Sequence, residues 1–361
     1  MKQLFEKKEV IQKLAKIKKR IAEAQKPLIF FHDDCDGICS FLIIDRYFKH
    51  PDKSYVIVKS LPSVDKRFIT KARTKNPDKI IVLDLARIEQ SFLERIKTEI
   101  IWIDHHAVQE PLSQRIHYFN PRQFNVNIPV TEIIFNLAEK SKELLWIATI
   151  GCIADWHIPY FFNEFIKEYP SLVEKANTTK VDEVIFNSPL GKIIRTITFS
   201  LLGKSKEAYP YIEHLRKINS PYELLEPKTK HGKAIIKKYE KINKKYTQLL
   251  TKLKKEIQSQ LDNPIIVLTY SNEKYSFTKI LANELIHLYP EKTIIIAREV
   301  KDEMRMSLRS KKINLKEIIP YALSGIWGYG GGHENAAGAT VKKQDFKLFV
   351  QRLTSLSSKY I

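Results

Sequence analysis

The sequence KPLIFFHDDCDG at residues 26–37 decides the fold prediction, because a short apolar run ends directly in a cluster of acids with a histidine. The same pattern returns in KIIVLDLA at 79–86 and in EIIWIDHHAV at 99–108, and YVIVKS at 55–60 is a further apolar run. Short apolar runs separated by helical stretches are typical of a parallel sheet that is covered on both faces. The pattern predicts an N-terminal α/β domain with a doubly wound, mainly parallel sheet.

Apolar residues at helical spacing predict one helix before this sheet and a long helix well after it. The first lies within residues 4–24, and the second, within 231–258, combines one apolar seam with a lysine-rich outer face. The seam is predicted at Tyr239, Ile242, Tyr246, Leu249, Leu253 and Ile257. The lysines of this helix are either a basic binding surface or only a solvated face.

Asn263-Pro264 opens a second alternation of strands and helices, which includes a glycine-rich loop. This predicts a smaller C-terminal α/β domain, joined to the first by the long helix and separated from it by a cleft. We expect a catalytic core at 1–157, a helical extension with the long basic connecting helix at 158–261, and a substrate-binding domain at 262–361.

Charge and composition limit the partners. The 361 residues contain 61 Lys+Arg against 41 Asp+Glu, a formal net charge of +20. Such an excess favours a polyanionic partner, although an anionic membrane surface and a lysine-rich thermophile composition are alternatives. No apolar run approaches about 18 residues, and the charged N-terminus does not resemble a signal peptide. The three cysteines have no spacing for a disulfide framework. We therefore expect a cytoplasmic protein without a membrane span.

The acidic cluster indicates a metal site. If strand geometry continues through His32, Asp34 and Asp36, these alternate side chains point to one side. Carboxylates and imidazole suit Mn²⁺, Mg²⁺ or iron, and Gly37 allows a tight turn beneath them. The alternative is a solvated acidic loop in which an aspartate caps the next helix.

Recurrence at other element ends favours the metal interpretation. Asp84 ends the second apolar run, Asp104-His105-His106 ends the third, and Asp155 follows the apolar segment 144–154. For Asp84 alone, helix capping is the simpler role. Because ligands bind at the carboxyl ends of parallel strands, the whole set predicts a dinuclear metal site.

These motifs, in this order, resemble the DHH phosphoesterase superfamily, and most closely its RecJ-like exonuclease branch. The residues that carry the resemblance are His32 to Gly37, Asp84, Asp104-His105-His106, Asn120-Pro121 and Asp155. Ser307-Leu308-Arg309, Gly330-Gly331-Gly332-His333 and Asn335-Ala336-Ala337-Gly338 resemble the DHH-associated C-terminal domain. Residues 158 to about 261 are covered only loosely.

The resemblance implies two Mn²⁺ ions, with Mg²⁺ as the alternative. It assigns His32, Asp34 and Asp84 to one metal, and Asp36, Asp84, His105 and Asp155 to the other, so that Asp84 bridges. Asp104 is expected to orient an imidazole, and His106 to donate a hydrogen bond to a phosphate oxygen or the leaving group.

The substrate is expected to contact the C-terminal domain. The backbone amides of Gly330, Gly331 and Gly332 have no Cβ beside them, so they can approach a phosphate closely, although a glycine loop is usually only a tight turn. Arg309 and His333 are expected to hold the substrate against the metals, because a guanidinium matches a phosphate.

The leading functional hypothesis is a metal-dependent exonuclease that acts on single-stranded DNA or RNA and releases nucleoside 5′-monophosphates. Replication or repair proteins are candidate partners. The first alternative is a phosphoesterase for nanoRNA, cyclic dinucleotides or bisphosphorylated nucleotides, which has less need of the +20 charge. The second is a non-catalytic replication scaffold, against which the six filled ligand positions argue.

Overall fold

The computed structural model describes residues 2–59, 63–174, 176–271 and 274–357, without the side chains of Lys2 and Ser357. The chain divides into two compact units, Met1–Glu240 and Lys241–Ile361, and each is described by itself. The division falls within a long helix, and the predicted three-part domain boundaries and the cleft stay predictions. No helix in the described ranges is long and apolar enough to cross a membrane.

The described part of the N-terminal unit contains seven strands. Their bounds are β1 Leu28–His32, β2 Ser54–Val58, β3 Ser63–Val64, β4 Lys79–Leu83, β5 Arg87–Ile88, β6 Glu99–Ile103 and β7 Ile116–Phe119. Its helices are α1 Lys8–Ala22, α2 Cys35–Tyr47, α3 Ile69–Lys75, α4 Gln90–Leu93, α5 Val130–Leu137, α6 Leu145–Ala154, α7 Phe162–Glu168, α8 Val181–Asn187, α9 Pro189–Leu201 and α10 Ser205–Leu215. Short 3₁₀ turns lie at Lys2–Glu6, Lys66–Phe68, Pro121–Phe124, Lys142–Leu144, Pro170–Leu172 and Pro221–Leu224.

The main sheet of this unit has the order β2-β1-β4-β6-β7, and all four pairings are parallel. One face packs Ile29, Phe31 and Ile81 into the core that contains α1, α2, α5 and α6. The other face packs Phe30 and Val82 against residues of α3 and α4. The strands are apolar throughout because both faces are covered, and the predicted doubly wound sheet is confirmed.

The C-terminal unit is built on a second five-stranded sheet, of order β11-β12-β10-β9-β8. Its elements are β8 Ile265–Tyr270, β9 Thr293–Val300, β10 Glu303–Ser310, β11 Gly328–Gly332, β12 Ala336–Lys342, α12 Thr278–Leu288, α13 Leu315–Ala322 and α14 Phe346–Ser357, with a 3₁₀ turn at Lys343–Asp345. Only β8 and β9 pair in parallel, and the remaining pairings in the described ranges are antiparallel. This confirms the predicted smaller α/β domain.

The long helix α11 spans Lys230–Gln258. Its buried seam contains Tyr239, Ile242, Tyr246, Leu253 and Ile257 as predicted. The exception is the fourth position, where Leu250 is buried and Leu249 is only partly covered. A three-residue and a four-residue step both keep the seam on one face, so spacing alone does not choose between neighbouring leucines.

Candidate metal centre

The candidate site lies at the carboxyl end of the N-terminal parallel sheet. His32 is the last residue of β1, and Asp84, Asp104 and Asn120 directly follow β4, β6 and β7. The ladder continues one step past the strands, since Asp84 N–H donates to Ile103 O at 3.0 Å and Asp104 N–H donates to Phe119 O at 3.1 Å. These residues therefore form one row across the carboxyl end of the sheet. The strand order reverses at β1, which has β2 on one side and β4 on the other, and ligands of such sheets usually bind at this reversal.

Asp84 is the centre of the site. Its side chain is buried, and its backbone has the left-handed φ of 54°, which aspartate tolerates better than most residues. Oδ2 lies 3.3 Å from His32 Nδ1, and Oδ1 lies 3.4 Å from His105 Nε2. The two carboxylate oxygens thus face two different histidines.

Asp36 reaches the site from the first turn of α2 and is held firmly. Its carboxylate accepts hydrogen bonds from the N–H groups of Val130 and Thr131, at 2.9 and 2.7 Å, and from Thr131 Oγ1 at 2.5 Å. The helix packs closely on β1, because a Cβ at Gly37 would lie only 2.4 Å from His32 O. Glycine is therefore required there for close approach, rather than for the turn that the sequence suggested.

The prediction that strand geometry continues to Asp36 is wrong. The strand ends at His32, and Asp34 becomes the N-cap of α2, where its side chain accepts from Gly37 N–H at 3.2 Å. Strand alternation stops because the capping bond fixes the start of a helix. His32 and Asp34 still face Asp84, whereas Asp36 lies on the side of His105 and Asp155.

The structure brings together three groups of side chains that could each hold a metal ion. They are His32, Asp34 and Asp84; Asp36, His105 and Asp155; and Asp84, His105 and His106, with the ligand atoms of each group within 4.8 Å of one another. Two of the groups share Asp84, so its bridging position is geometrically available. Asp155 enters from the C-cap of α6, 3.7 Å from His105 Nε2.

The donor set fits a divalent cation. The buried atoms His32 Nδ1 and Asp84 Oδ2 lie 3.3 Å apart, yet within the described residues neither makes a hydrogen bond of good geometry. A buried polar atom without a partner is costly, and several buried carboxylates repel one another unless a cation lies between them. Oxygen and imidazole ligands suit Mn²⁺, Mg²⁺ and similar ions.

The pKa shifts show how strongly this site attracts positive charge. Burial by itself lowers the pKa of His105, but the neighbouring Asp84 and Asp155 reverse this and raise it to about 10. The pKa of His32 is likewise raised well above its ordinary value, because Asp34 and Asp84 outweigh burial. Burial, followed by the charge of Asp84, raises the pKa of Asp36 well above its usual range. Protons compete with a metal for the same atoms, so metal binding should release protons.

His106 is positioned by its own hydrogen bonds. Its ring Nδ1 lies 2.7 Å from Asp104 Oδ1, and its backbone N–H donates to Asp104 Oδ2 at 3.0 Å. Asn120 Nδ2 donates to His106 O at 2.9 Å. Burial lowers the pKa of His106, but the hydrogen bond and charge of Asp104 raise it overall. The arrangement keeps a proton on Nδ1 and leaves Nε2 for another partner.

Sequence reasoning missed several residues around the site. Thr131 anchors Asp36, and the buried Glu132 Oε2 accepts a hydrogen bond from His157 Nε2 at 2.7 Å. Lys59 donates to Asp33 at 3.2 Å and to Leu201 O at 2.7 Å. The only sequence signal for Thr131 and Glu132 was that these polar residues precede the apolar stretch IIF. No local pattern could indicate the contacts of Lys59, because its partners lie 26 and 142 residues away along the chain.

The predicted substrate residues lie in the C-terminal sheet. Arg309, near the end of β10, donates from Nε to Asn283 Oδ1 at 2.6 Å and from Nη1 to Leu308 O at 2.7 Å. Burial alone lowers its pKa to about 10, since no carboxylate among the described residues compensates for the lost water. Arg309 pairs with Ala336 of β12, and β12 separates it from the glycine segment.

The glycine-rich segment is an edge strand, so its prediction as a loop is wrong. Gly330, Gly331 and Gly332 belong to β11, which pairs with β12, and His333 follows it with its N–H donating to Ala336 O at 2.8 Å. A Cβ at Gly330 or Gly332 would clash with β12, whereas one at Gly331 would meet nothing within 4 Å. Two of the glycines therefore serve close strand pairing, and the middle one faces open space.

Fold and site together define an α/β protein with a candidate dinuclear metal centre at the end of a parallel sheet. Residues 26–155 match the model of the DHH family, N-terminal domain, and residues 262–359 match the DHHA1 domain. Together these matches cover more than half of the chain. The protein belongs to the DHH superfamily and is RecJ-like, as predicted.

The chain is 24% identical over 394 residues to the single-stranded-DNA-specific exonuclease RecJ of Bacillus subtilis, a match that covers 98% of this chain and 48% of that protein. The RecJ structure from Thermus thermophilus in complex with Mn²⁺ superposes with a TM-score of 0.72 at 16% identity, covering 97% of this chain and 55% of that one. A DHH domain described as belonging to a family of ribosomal proteins gives 0.67 at 16%, with 97% and 91% coverage. These structures show a shared fold. The chain spans about half the length of the first two relatives.

Proposed function

We propose that the protein is a metal-dependent phosphoester hydrolase that acts as an exonuclease on single-stranded nucleic acid and releases nucleoside 5′-monophosphates. The observation that carries the proposal is the position of Asp84, whose two carboxylate oxygens face the histidines of two neighbouring ligand groups. Membership of the DHH superfamily supports the class of phosphoester hydrolase, and the finer assignment rests on charge and on likeness to RecJ proteins.

The proposed ligands form two metal-binding sets that share Asp84. His32, Asp34 and Asp84 would hold one divalent cation, and Asp36, Asp84, His105 and Asp155 would hold a second. When bound, two such cations neutralise a phosphate and activate water at neutral pH. Thr131 and the N–H groups at the start of α5 fix Asp36, so that ligand is placed before any metal arrives.

His106 supplies the proton chemistry in this proposal. Asp104 and Asn120 hold the imidazole so that Nδ1–H points to Asp104, and Nε2 is left to hydrogen-bond a phosphate oxygen or the departing oxygen. The raised pKa of His106 favours its protonated form, which can donate to an anion. The proton then moves from Nε2 to the leaving group.

Substrate choice follows from charge and from the C-terminal sheet. A net charge of +20 exceeds what a nucleotide-sized substrate needs, and it favours a long polyanion. Arg309, which is half-buried and has no carboxylate partner among the described residues, and the open backbone at Gly331 are the proposed contacts to a phosphate, with His333 beside them. Mn²⁺ is the proposed metal and Mg²⁺ is the alternative, since similar RecJ structures were solved with each of these ions.

One assay tests the proposal. Purified protein is incubated with Mn²⁺ and end-labelled single strands of DNA and RNA, from dinucleotides to strands of about forty nucleotides, and product sizes are followed in time. We expect a ladder from one end that requires the metal and is absent with chelator, while a blunt duplex of the same sequence stays intact.

The same assay separates the alternatives. Hydrolysis restricted to dinucleotides or bisphosphorylated nucleotides would replace the exonuclease with a small-substrate phosphoesterase. Binding of single strands without hydrolysis under any divalent metal would favour the replication scaffold, although every proposed ligand position holds a residue that can bind a metal.

A further inference from the structure

A second anion site is indicated by a groove that lies entirely within the C-terminal unit. Its volume is about 660 Å³, within the range of known ligand sites, and residues of α11, β8, β9, β10 and the start of α14 line it. Thr269, Tyr270 and Ser271 lie at the carboxyl end of β8, and Glu299 lies near the carboxyl end of the parallel strand β9. The groove contains none of the residues proposed to hold metal or to contact the reacting phosphate.

The lining is strongly basic. Lys245 and Lys252 come from α11, Lys343 from the turn before α14 and Lys347 from its first turn, and Glu299 is the one acid among the lining residues. Glu299 Oε1 is 2.6 Å from Lys343 Nζ. All four lysines are exposed. The four lysines come from two stretches of chain, α11 and residues 343–347, and Lys252 Nζ also lies 3.7 Å from Glu256 Oε1. An anion in the groove would meet ammonium groups from both stretches.

The uncharged part of the lining indicates which anion fits. Leu249, Met304 and Phe346 are at most partly exposed. Tyr270 is buried, and its hydroxyl accepts from Phe277 N–H at 2.8 Å. The ring of Tyr270 is therefore not presented to solvent as a surface on which a base could stack, and Phe346, the other aromatic residue that lines the groove, is only partly exposed. Hydroxyls of Thr269 and Ser271 add hydrogen-bonding groups that suit phosphate oxygens.

The spacing of the lysines matches a row of phosphates. Lys245 and Lys252 are seven residues apart on one face of α11, about 10 Å along the helix axis. At the spacing of about 3.4 Å per phosphate in a stacked strand, this length corresponds to about three phosphates.

We propose that this groove is a phosphate-binding site that holds the backbone of the substrate strand away from the reacting end. The strand as ligand rests on the proposed function, whereas the phosphate chemistry does not, since free oligophosphate carries the same groups. The groove recognises charge and not sequence, so it would increase the affinity for long strands without changing the hydrolysis of a dinucleotide.

The test compares two double variants that remove equal charge from the same helix. K245Q/K252Q neutralises the groove, and K244Q/K255Q neutralises two exposed lysines that do not line it. Binding of a fluorescent single strand of about twenty nucleotides is measured by anisotropy without metal, over a range of salt concentrations. We expect the groove variant to lose about tenfold in affinity and about 1.4 in salt slope, at about 0.7 for each lost phosphate contact. The control should change affinity less than about twofold, and both should hydrolyse a dinucleotide at the wild-type rate with Mn²⁺.

Equal losses in the two variants would show diffuse surface charge and would overturn the proposal, as would no loss in either. A calorimetric titration of the metal-free proteins with inorganic tripolyphosphate tests the phosphate site independently of the proposed exonuclease activity. If the wild type neither cleaves nor binds strands but binds tripolyphosphate, and K245Q/K252Q does not, the phosphate site stands and the exonuclease proposal fails. Tighter competition by polyglutamate than by tripolyphosphate would make the occupant an acidic protein segment and overturn the phosphate assignment.

Discussion

The carboxyl ends of parallel strands carry opposite charges in the two units. After β1, β4 and β6 of the N-terminal sheet stand histidines and aspartates, and Asp84 and Asp104 are 1% and 0% exposed. Around the ends of β8 and β9 of the C-terminal sheet stand exposed lysines. The same place in the topology thus holds buried acids in one unit and exposed bases in the other. Topology provides the concave edge, and the residue types decide what it binds.

The difference in burial matters as much as the difference in charge. Buried carboxylates need a cation at a defined position, because unpaired charge away from water is costly. Exposed lysines keep their hydration and attract phosphates over a distance of about one Debye length, about 8 Å at physiological salt. A dry acidic site suits chemistry, and a wet basic groove suits holding a polymer.

The largest expected effect comes from removing the centre of the acidic site. Asp84→Ala should lower Mn²⁺-dependent hydrolysis by at least about a thousandfold, because it removes a ligand from both proposed metal positions, and two metals supply several kcal/mol of transition-state stabilisation. The fold should remain, since the change relieves repulsion among carboxylates. Hydrolysis rates, metal content and thermal unfolding measure these effects.

Asp33→Asn is the matched control, because Asp33 lies 3.6 Å from His32 Nε2 but belongs to none of the three candidate ligand groups. Its effect on hydrolysis should stay within a few-fold. Retained activity in Asp84→Ala would contradict the dinuclear proposal. It would also remove the contrast between a metal-binding acidic site in the N-terminal unit and a basic groove in the C-terminal unit.

A smaller effect is expected at His106, the proposed proton donor. His106→Gln should lower kcat about a hundredfold while two metals stay bound, because general acid catalysis contributes about 10² to 10⁴. His117→Gln, which removes another acid-paired histidine of the same sheet, 2.7 Å from Glu99, should leave kcat unchanged. Loss of metal from His106→Gln would instead make His106 a ligand, a role that its position near Asp84 and His105 allows.

The smallest effect concerns Arg309, the proposed substrate contact in the C-terminal unit. Arg309→Ala should slow turnover about tenfold without removing metal, and it should destabilise the unit by about 1–3 kcal/mol, because Asn283 Oδ1 loses its partner. Arg309→Lys keeps the charge but lacks the planar guanidinium that can bind two phosphate oxygens at once. Compared with Arg309→Ala, it should therefore recover most of the stability and little of the turnover. Turnover restored fully by lysine would show that only charge matters at this position.

Local patterns predicted most of the fold. The apolar runs at β1, β4 and β6 are continuous because both faces of a parallel sheet are covered, and the seam of α11 repeats every three or four residues. The glycine strand β11 escaped prediction because its side chains carry no alternation, and its identity depends on pairing with β12. Strand geometry was expected as far as Asp36 but ends at His32, because the capping role of Asp34 competes with strand alternation.

The sequence by itself determined which residues could bind a metal, since acids and histidines ended apolar runs in a recognisable order. Only the tertiary structure decided how they are divided. Asp84 faces His32 with one oxygen and His105 with the other, Asp36 is turned away from His32 by helix α2, and Thr131 holds it there. The basic groove is likewise invisible in sequence, because Lys245 and Lys343 are nearly a hundred residues apart. Residue type is a local property, whereas convergence of side chains depends on packing between distant segments.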